Sequence, residues 1–356
     1  MTRTTITKPQ YIVATMRQIC EVPWNGFNAI STFSGCGGSS TGYRMAGFKI
    51  LWASEFIDAA RDSYAANKAP YTILDGKDIR QVQVADILHA INMKPGELDL
   101  FDGSPPCASF STAGKREAGW GKVKKYSDKS QRTDDLFFEF SRLVRGVQPK
   151  VFVAENVSGL VKGTAKGYFL EILKELKSCG YRVSCKVLDA QWLGVPQARQ
   201  RTIFVGVRED LGIDPVHPKP LPYRHTVRDA LQFATAPSVE SEADISRYAI
   251  GAEWDNLKPG EGSEKYLNLK RTRIDGPSHC ISADGGNPST AGVCHPTEKR
   301  KFTIAELKRI CGFPDDFILK GTYAQQWERC GRAVPPVMMM HIAATIRDKV
   351  LARACQ

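Results

Sequence analysis

Along residues 28–208, short apolar runs typical of buried strands alternate with stretches of helical spacing. Asn28–Phe33 has the short apolar character of a strand, and helical spacing follows from about Ser39 to Met45. Phe48–Ala53 predicts a second strand, and 57–67 predicts a helix ending near Asn67. A short strand at 71–74, a helix at 83–91 and a buried-strand run at Leu98–Phe101 come next. The spacing of Leu136, Phe137, Phe140, Leu143 and Val144 predicts a helix over 134–146. Val151–Ala154 is a further buried strand, 168–178 an amphipathic helix, and Arg182–Leu188 and Thr202–Val207 are strands. Strands alternating with helices predict βαβ units, hence a doubly wound α/β domain with a mostly parallel sheet.

Outside that region the pattern changes. The first 27 residues show no clear period and are expected to form an N-terminal leader. From about Arg208, turns around Pro215, Pro218, Pro220 and Pro222 and short irregular segments predict a smaller second domain over 209–298. Helical spacing resumes at 303–311 and 337–352, so 299–356 is expected to return to the first domain. No apolar run approaches the roughly 20 residues of a membrane span, and the N-terminus lacks an apolar h-region. A cytoplasmic protein without membrane contact is expected.

The 356 residues carry 49 Lys and Arg against 38 Asp and Glu, a formal charge of +11. That excess favours a polyanionic partner, and it is concentrated. Residues 112–132 hold seven basic and two acidic residues, whereas 235–255 hold five acids and one base. The ten cysteines are scattered, with no CxxC pair, so neither a zinc site nor a disulfide framework is expected. No metal is expected.

Candidate chemistry gathers where predicted strands end. Phe33-Ser34-Gly35-Cys36-Gly37-Gly38 lies between a strand and a helix, where glycines allow close backbone approach to a ligand. Glu55 follows the second strand, the place of a ribose-binding acid in dinucleotide-type sites. The absence of GxGxxG argues against a nicotinamide dehydrogenase. Asp78-Ile79 follows the third strand, where the carboxylate either accepts from an adenine amino group or caps a helix. Ser104-Pro105-Pro106-Cys107 fixes the backbone after a buried strand and presents a thiol where open α/β sheets place their active sites. Glu155 ends another buried strand, where desolvation suits it to donate or share a proton. Gln197-Ala198-Arg199-Gln200-Arg201 places alternate arginines on one side of an extended segment, apt for phosphates or a base carbonyl.

Together these segments resemble the DNA (cytosine-5)-methyltransferase family, in the family's order from about Asn28 to Arg347. Phe33–Gly37 resembles its cofactor loop, Glu55 with Phe56 its ribose acid, and Asp78 with Ile79 its adenine contact. Ser104-Pro105-Pro106-Cys107 with Phe110-Ser111 is similar to its nucleophile motif, and Glu155-Asn156-Val157 to its catalytic motif. Gln197, Arg199 and Arg201 match QxRxR. Thr303–Phe317 and Gly331-Arg332-Ala333-Val334-Pro335-Pro336 resemble its last two motifs. Ala108 stands where the family usually has Gln.

The resemblance implies a class I, Rossmann-like fold with S-adenosyl-L-methionine as cofactor. Phe33, Ser34, Gly35, Gly37, Glu55, Phe56, Asp78, Ile79, Ser104, Pro105, Leu136, Arg332, Ala333 and Val334 would surround that cofactor. It implies that Cys107 attacks C6 of a cytosine flipped out of double-stranded DNA, with Glu155, Arg199 and Arg201 supporting the ring. The segment 111–132, with Ser111, Lys115 and Arg116, would close over DNA. Gln197, Arg271 and Arg273 are further candidates for DNA contacts, with Lys270 beside them, and 209–298 would read the target sequence. A monomer, bacterial, archaeal or phage-encoded, is expected, with a cognate restriction enzyme as a possible partner.

Arg332 departs from the family, which has Asn there. A fixed cation beside a sulfonium suits a donor that carries a carboxylate, as in carboxy-S-adenosyl-L-methionine, with 5-carboxymethylcytosine as product. The alternative is an arginine turned to a phosphate or a surface acid, in an ordinary methyltransferase. An RNA methyltransferase and a catalytically inactive nucleic-acid-binding relative are the remaining readings; Cys107, Glu155 and Arg199 together argue against the inactive one.

Overall fold

The structure, a computed structural model, describes residues 8–106, 124–126, 129–131, 135–161, 166–232 and 241–355. Contacts divide the chain into two compact units of three stretches each. One holds Cys20–Leu188, Gln200–Pro218 and Met339–Gln356, and the other holds Met1–Ile19, Asp189–Arg199 and Lys219–Met338. The first carries the main sheet, and the second carries short helices joined by irregular segments.

The strands of the sheet unit are β1 (Asn28–Thr32), β2 (Lys49–Ser54), β3 (Ile73–Asp75), β4 (Leu100–Gly103), β5 (Lys124–Tyr126), β6 (Lys129–Gln131), β7 (Val151–Val157), β8 (Tyr181–Asp189) and β9 (Gln200–Arg208). The order across the main sheet is β3-β2-β1-β4-β7-β9-β8, and β5 pairs with β6 apart from it. β1 to β4 and β7 pair in parallel, while β9 runs antiparallel to β7. The chain fills the sheet in one direction from β1 to β3 and in the other from β4 to β7. The switch point therefore falls between β1 and β4, and a crevice outside the carboxyl ends of those strands is where doubly wound sheets bind ligands.

Helices α1 (Met16–Glu21), α2 (Gly38–Met45), α3 (Asp58–Asn67), α4 (Val84–Ile91), α5 (Leu136–Val147) and α6 (Lys166–Ser178) follow the chain up to β8. α1 lies in the stretch that shows no clear period. On α5, Leu136, Phe137, Phe140, Leu143, Val144 and Val147 are all buried, as their spacing predicts. Phe140 meets Phe101 of β4 edge-on at 5.3 Å and Phe152 of β7 at 6.0 Å, a geometry that aromatic quadrupoles favour. Gly103 makes room for this packing: a Cβ there would stand 2.5 Å from the Phe140 ring.

The second unit carries α7 (Val227–Leu231), α8 (Ala249–Asp255), the two-residue strands β10 (Lys270–Arg271) and β11 (Val293–Cys294), α9 (Ile304–Ile310) and α10 (Tyr323–Arg332). Reciprocal capping boxes start α7 at Thr226 with Asp229, α9 at Thr303 with Glu306, and α10 at Thr322 with Gln325. Lys301 is fully buried, and its ammonium donates to the carbonyls of Gly285, Asn287 and Thr290. α11 (Pro336–Ile346), a π-helical turn at Arg347–Leu351 and α12 (Ala352–Ala354) end the described chain. Among the described residues no helix is long and apolar enough to cross a membrane.

Candidate active site

At the β1 end of the switch point the backbone turns through Phe33, Gly35 and Gly37, which take φ of 52°, 56° and 99°. A Cβ on Gly35 would meet nothing within 4 Å, so this turn borders open space. At Gly37 a Cβ would come 3.1 Å from the Tyr64 ring, in a conformation that L residues avoid. The neighbouring strand ends are tied together. Glu55 takes the Gly35 N–H on one carboxylate oxygen and the Ile57 N–H on the other, each at 2.7 Å, and Ser34 N–H donates to Ser54 O.

Glu55 is thus a buried acid that holds two backbone N–H groups beside the glycine turn. The open glycine turn and this buried acid fit an adenosyl cofactor. Phe56 is half-buried beside them, and Ile79 is buried. Asp78 caps the short helix Ile79–Gln81 by accepting the Arg80 N–H, and its carboxylate is paired with the Arg80 guanidinium. Arg80 also bonds Asp135, one residue before Leu136, which packs in the sheet core.

β4 leads to Ser104 and Pro105. Cys107 lies outside the described residues, as do Ser111, Lys115 and Arg116. The preceding turn is fixed: the Asn156 side-chain amide donates to Pro105 O at 3.1 Å, and Ser104 N–H donates to Thr32 O. Glu155 is buried near the end of β7 and pairs with Arg201 across to β9, Nε to Oε1 at 2.7 Å. The register explains the pair. Glu155 faces Ile203 and Arg201 faces Val157, so the two side chains are diagonal neighbours on antiparallel strands. Both are nearly buried, which strengthens a charge-assisted hydrogen bond.

The other sequence-predicted residues fall in the second unit. Arg199 is 1% exposed and donates to Gly331 O at 2.7 Å and Ile281 O at 3.1 Å. Gln197 is fully buried; its amide donates to Cys311 Sγ and accepts from the Ile281 N–H. Arg271 donates to the carbonyls of Leu257 and Pro296 and lies 3.7 Å over the Trp254 ring. All three are thus engaged with their own unit, while Arg273 is exposed. Arg332 ends α10 and bonds Glu328 one turn earlier, Nε to Oε1 at 2.6 Å. Burial pushes the Glu328 carboxyl up, but the Arg329 and Arg332 guanidiniums outweigh it and hold it below its ordinary range. Ala333 ends the helix and Val334 is buried. Gly331 allows close packing: a Cβ there would lie 2.7 Å from the backbone of Ser282 and Ala283.

Sequence reasoning did not single out Asp102, Asn156 as a tether, or Glu328. For Asp102 the signal was present, an acid inside the apolar run Leu98–Phe101 and its continuation.

A doubly wound sheet with an antiparallel β9 and its ligand-side residues at the β1/β4 switch defines a class I, Rossmann-like methyltransferase fold. The C-5 cytosine-specific DNA methylase family matches residues 27–348, and the chain belongs to that family. The Type II methyltransferase M1.HphI of Haemophilus parahaemolyticus is 32% identical over 89% of this chain and 86% of its own. M.NgoFVII of Neisseria gonorrhoeae, another Type II methyltransferase, is 31% identical over 89% of this chain and 85% of its own. Among solved structures, a protein provisionally named a DNA modification methyltransferase, encoded within an Escherichia coli prophage, superposes with a TM-score of 0.71. It shares 21% identity and covers 92% of this chain and 100% of its own.

Proposed function

We propose that this DNA cytosine-5 methyltransferase moves a methyl group from S-adenosylmethionine to a cytosine flipped out of a specific sequence in double-stranded DNA. The observation that supports it best is the pair of strand ends at β4 and β7. Asn156 pins the Pro105 carbonyl two residues before Cys107, and Glu155 stands next to Asn156 with its carboxylate oriented by Arg201.

Phe33, Ser34, Gly35, Gly37, Glu55, Phe56, Asp78, Ile79, Ser104 and Pro105 would hold the cofactor, which supplies an electrophilic methyl group when bound. Cys107 Sγ, as thiolate, adds to C6 of the target ring. Glu155, when it carries a proton on one carboxyl oxygen, donates it to N3 and accepts from the amino group, and so offsets charge that builds on the ring. C5 gains the methyl group, the C5 proton passes to water, the C5–H electron pair restores the ring double bond, and the bond from Cys107 to C6 breaks with its electron pair returning to Sγ as thiolate. Arg201 orients Glu155, and Arg199 holds the Ile281 and Gly331 carbonyls in place. Lys115, Arg116 and Arg273 would meet the DNA backbone. We further propose that the chain is the modification partner of a restriction enzyme.

Covalent trapping tests this reading. Duplex DNA with 5-fluorocytosine at the target is expected to capture the enzyme, the corresponding RNA is not, and Cys107→Ala is expected to escape. Capture of Cys107→Ala would overturn the nucleophile assignment, and capture by RNA alone would overturn the DNA substrate.

Arg332 is the ground for a second reading, in which carboxy-S-adenosylmethionine is the donor. Glu328 already places a carboxylate on that guanidinium, so the methyl donor is favoured. Mass spectrometry of nucleosides from DNA treated with each donor separates the two: 5-methylcytosine is expected from the wild type. A preference for the carboxylated donor that is lost in Arg332→Asn would reverse the choice.

A further inference from the structure

Asp102 takes no part in the steps above, yet its side chain sits beneath the switch point. It lies on β4, is 1% exposed, and faces Ser31 of β1 in the parallel register. Its Oδ2 accepts from Ser31 Oγ at 2.9 Å and its Oδ1 from Tyr43 Oη of α2 at 3.1 Å. Ser31 in turn meets Ser34, whose hydroxyl donates to Ser31 O at 3.0 Å. Thr32 Oγ1 donates to the Asp102 carbonyl, and Thr32 O accepts the Ser104 N–H. One carboxyl thus stands at the root of both turns that border the crevice.

The groups facing it are few. Ser31 and Thr32 come from β1, Tyr43 from α2, Tyr64 from α3 and Glu155 from β7. Among the described residues no cation pairs with it. A buried carboxylate held by two neutral hydroxyls and repelled by a second carboxylate is costly as an anion. Burial, aided by Glu155 and opposed by the Ser31 and Tyr43 hydroxyls, pushes the carboxyl up to about 7. A positive charge arriving in the crevice above would favour the ionised form.

We propose that Asp102 is a positioning residue for the methyl donor that ionises when a sulfonium-bearing ligand binds at the β1 and β4 ends. The O–H bond on its carboxyl breaks, the proton passes to water, and the anion left behind favours the cationic donor over the uncharged thioether product. This rests on the reading of S-adenosylmethionine as donor.

Titration calorimetry of the full chain, with S-adenosylmethionine and with S-adenosylhomocysteine, in buffers of different ionisation enthalpy from pH 6 to 8, tests it. Binding that requires the ionised form scales with the ionised fraction, so donor affinity is expected to rise about tenfold from pH 6 to 8. The wild type is expected to release more protons with the donor than with the product. Asp102→Asn is expected to lose that difference and to flatten the rise. Tyr43→Phe removes a donor to the carboxylate and is expected to move the rise to higher pH, which keeps the test alive if Asp102→Asn fails to fold. Equal proton release for both ligands, or profiles unchanged in both variants, would overturn the proposal. A wild type that binds no S-adenosylmethionine at all would instead overturn the choice of donor.

Discussion

Between about pH 3.8 and 7 the folded chain keeps a proton on Asp102 that the unfolded chain has lost, because burial raises that carboxyl to about 7. The native state binds more protons in that window, so this residue's contribution to stability falls as pH rises through it. Above pH 7 the cost is at most about 4 kcal/mol. Asp102→Asn is therefore expected to unfold at a higher temperature than the wild type at pH 8, with the gain shrinking at pH 5; a thermal melt at each pH checks it. Gly331 works in the opposite direction. Its missing Cβ would meet only backbone of Ser282 and Ala283 at 2.7 Å, atoms that cannot step aside. Gly331→Ala is expected to cost about 1–3 kcal/mol in urea unfolding. Removing Arg201 strips a nearly buried carboxylate of its cation. Arg201→Ala is expected to lower kcat/KM by about tenfold to a hundredfold, worth roughly 1.4–3 kcal/mol, with Arg201→Lys in between.

Among the elements, β7 and β4 show most directly how local structure serves chemistry. Asn156 reaches from one strand end to the Pro105 carbonyl on the other. Asn156→Ala is expected to cost only about 1 kcal/mol of stability while kcat falls by more than the roughly fivefold which that energy represents. Steady-state kinetics beside a denaturation curve separates the two effects. The main-sheet strands and the helices from Asn28 to Arg208 were legible because the strands are short continuous apolar runs, as on β4 and β7, and the helices keep period 3.6 against the core, as on α5; β5 and β6, polar and short, were not. α10 went unread although Tyr323, Trp327 and Cys330 keep the i, i+4, i+7 spacing of a helix face. The Thr322–Gln325 capping box was a further signal. At the site, Glu55, Glu155 and the glycine turn were legible as residues at strand ends. Their partners were not: Arg201 reaches Glu155 only through the antiparallel register of β9. The side chains of Gln197 and Arg199 turn inward to meet carbonyls and a thiol that come from distant sequence.

For the whole molecule, the charge of +11 predicts DNA affinity that falls steeply with salt through counterion release. Arg273→Ala is expected to reduce the slope of log affinity against log salt by about 1, measured on cognate and unrelated duplexes. Acid stability has its own marker. Burial, reinforced by the Lys186 cation, lowers His217 from 6.5 to about 4 despite a hydrogen bond with the Ser184 backbone. Between those values the unfolded chain holds the extra proton, so stability rises with pH from about 4 to 6.5. His217→Asn is expected to flatten that part of the curve by at most about 3 kcal/mol, read from unfolding midpoints.

The order β7-β9-β8 has a consequence for the chain as it leaves the ribosome. β8 is synthesised before β9, yet β9 is the strand that lies between it and β7. Until Gln200–Arg208 has emerged, β7 presents an open edge, and β8 has no neighbour in its final place. A nascent chain stalled at that length carries an unpaired edge beside an apolar core. Between the emergence of Asp189 and that of Arg208, the growing chain therefore carries an exposed strand edge that the finished protein does not have.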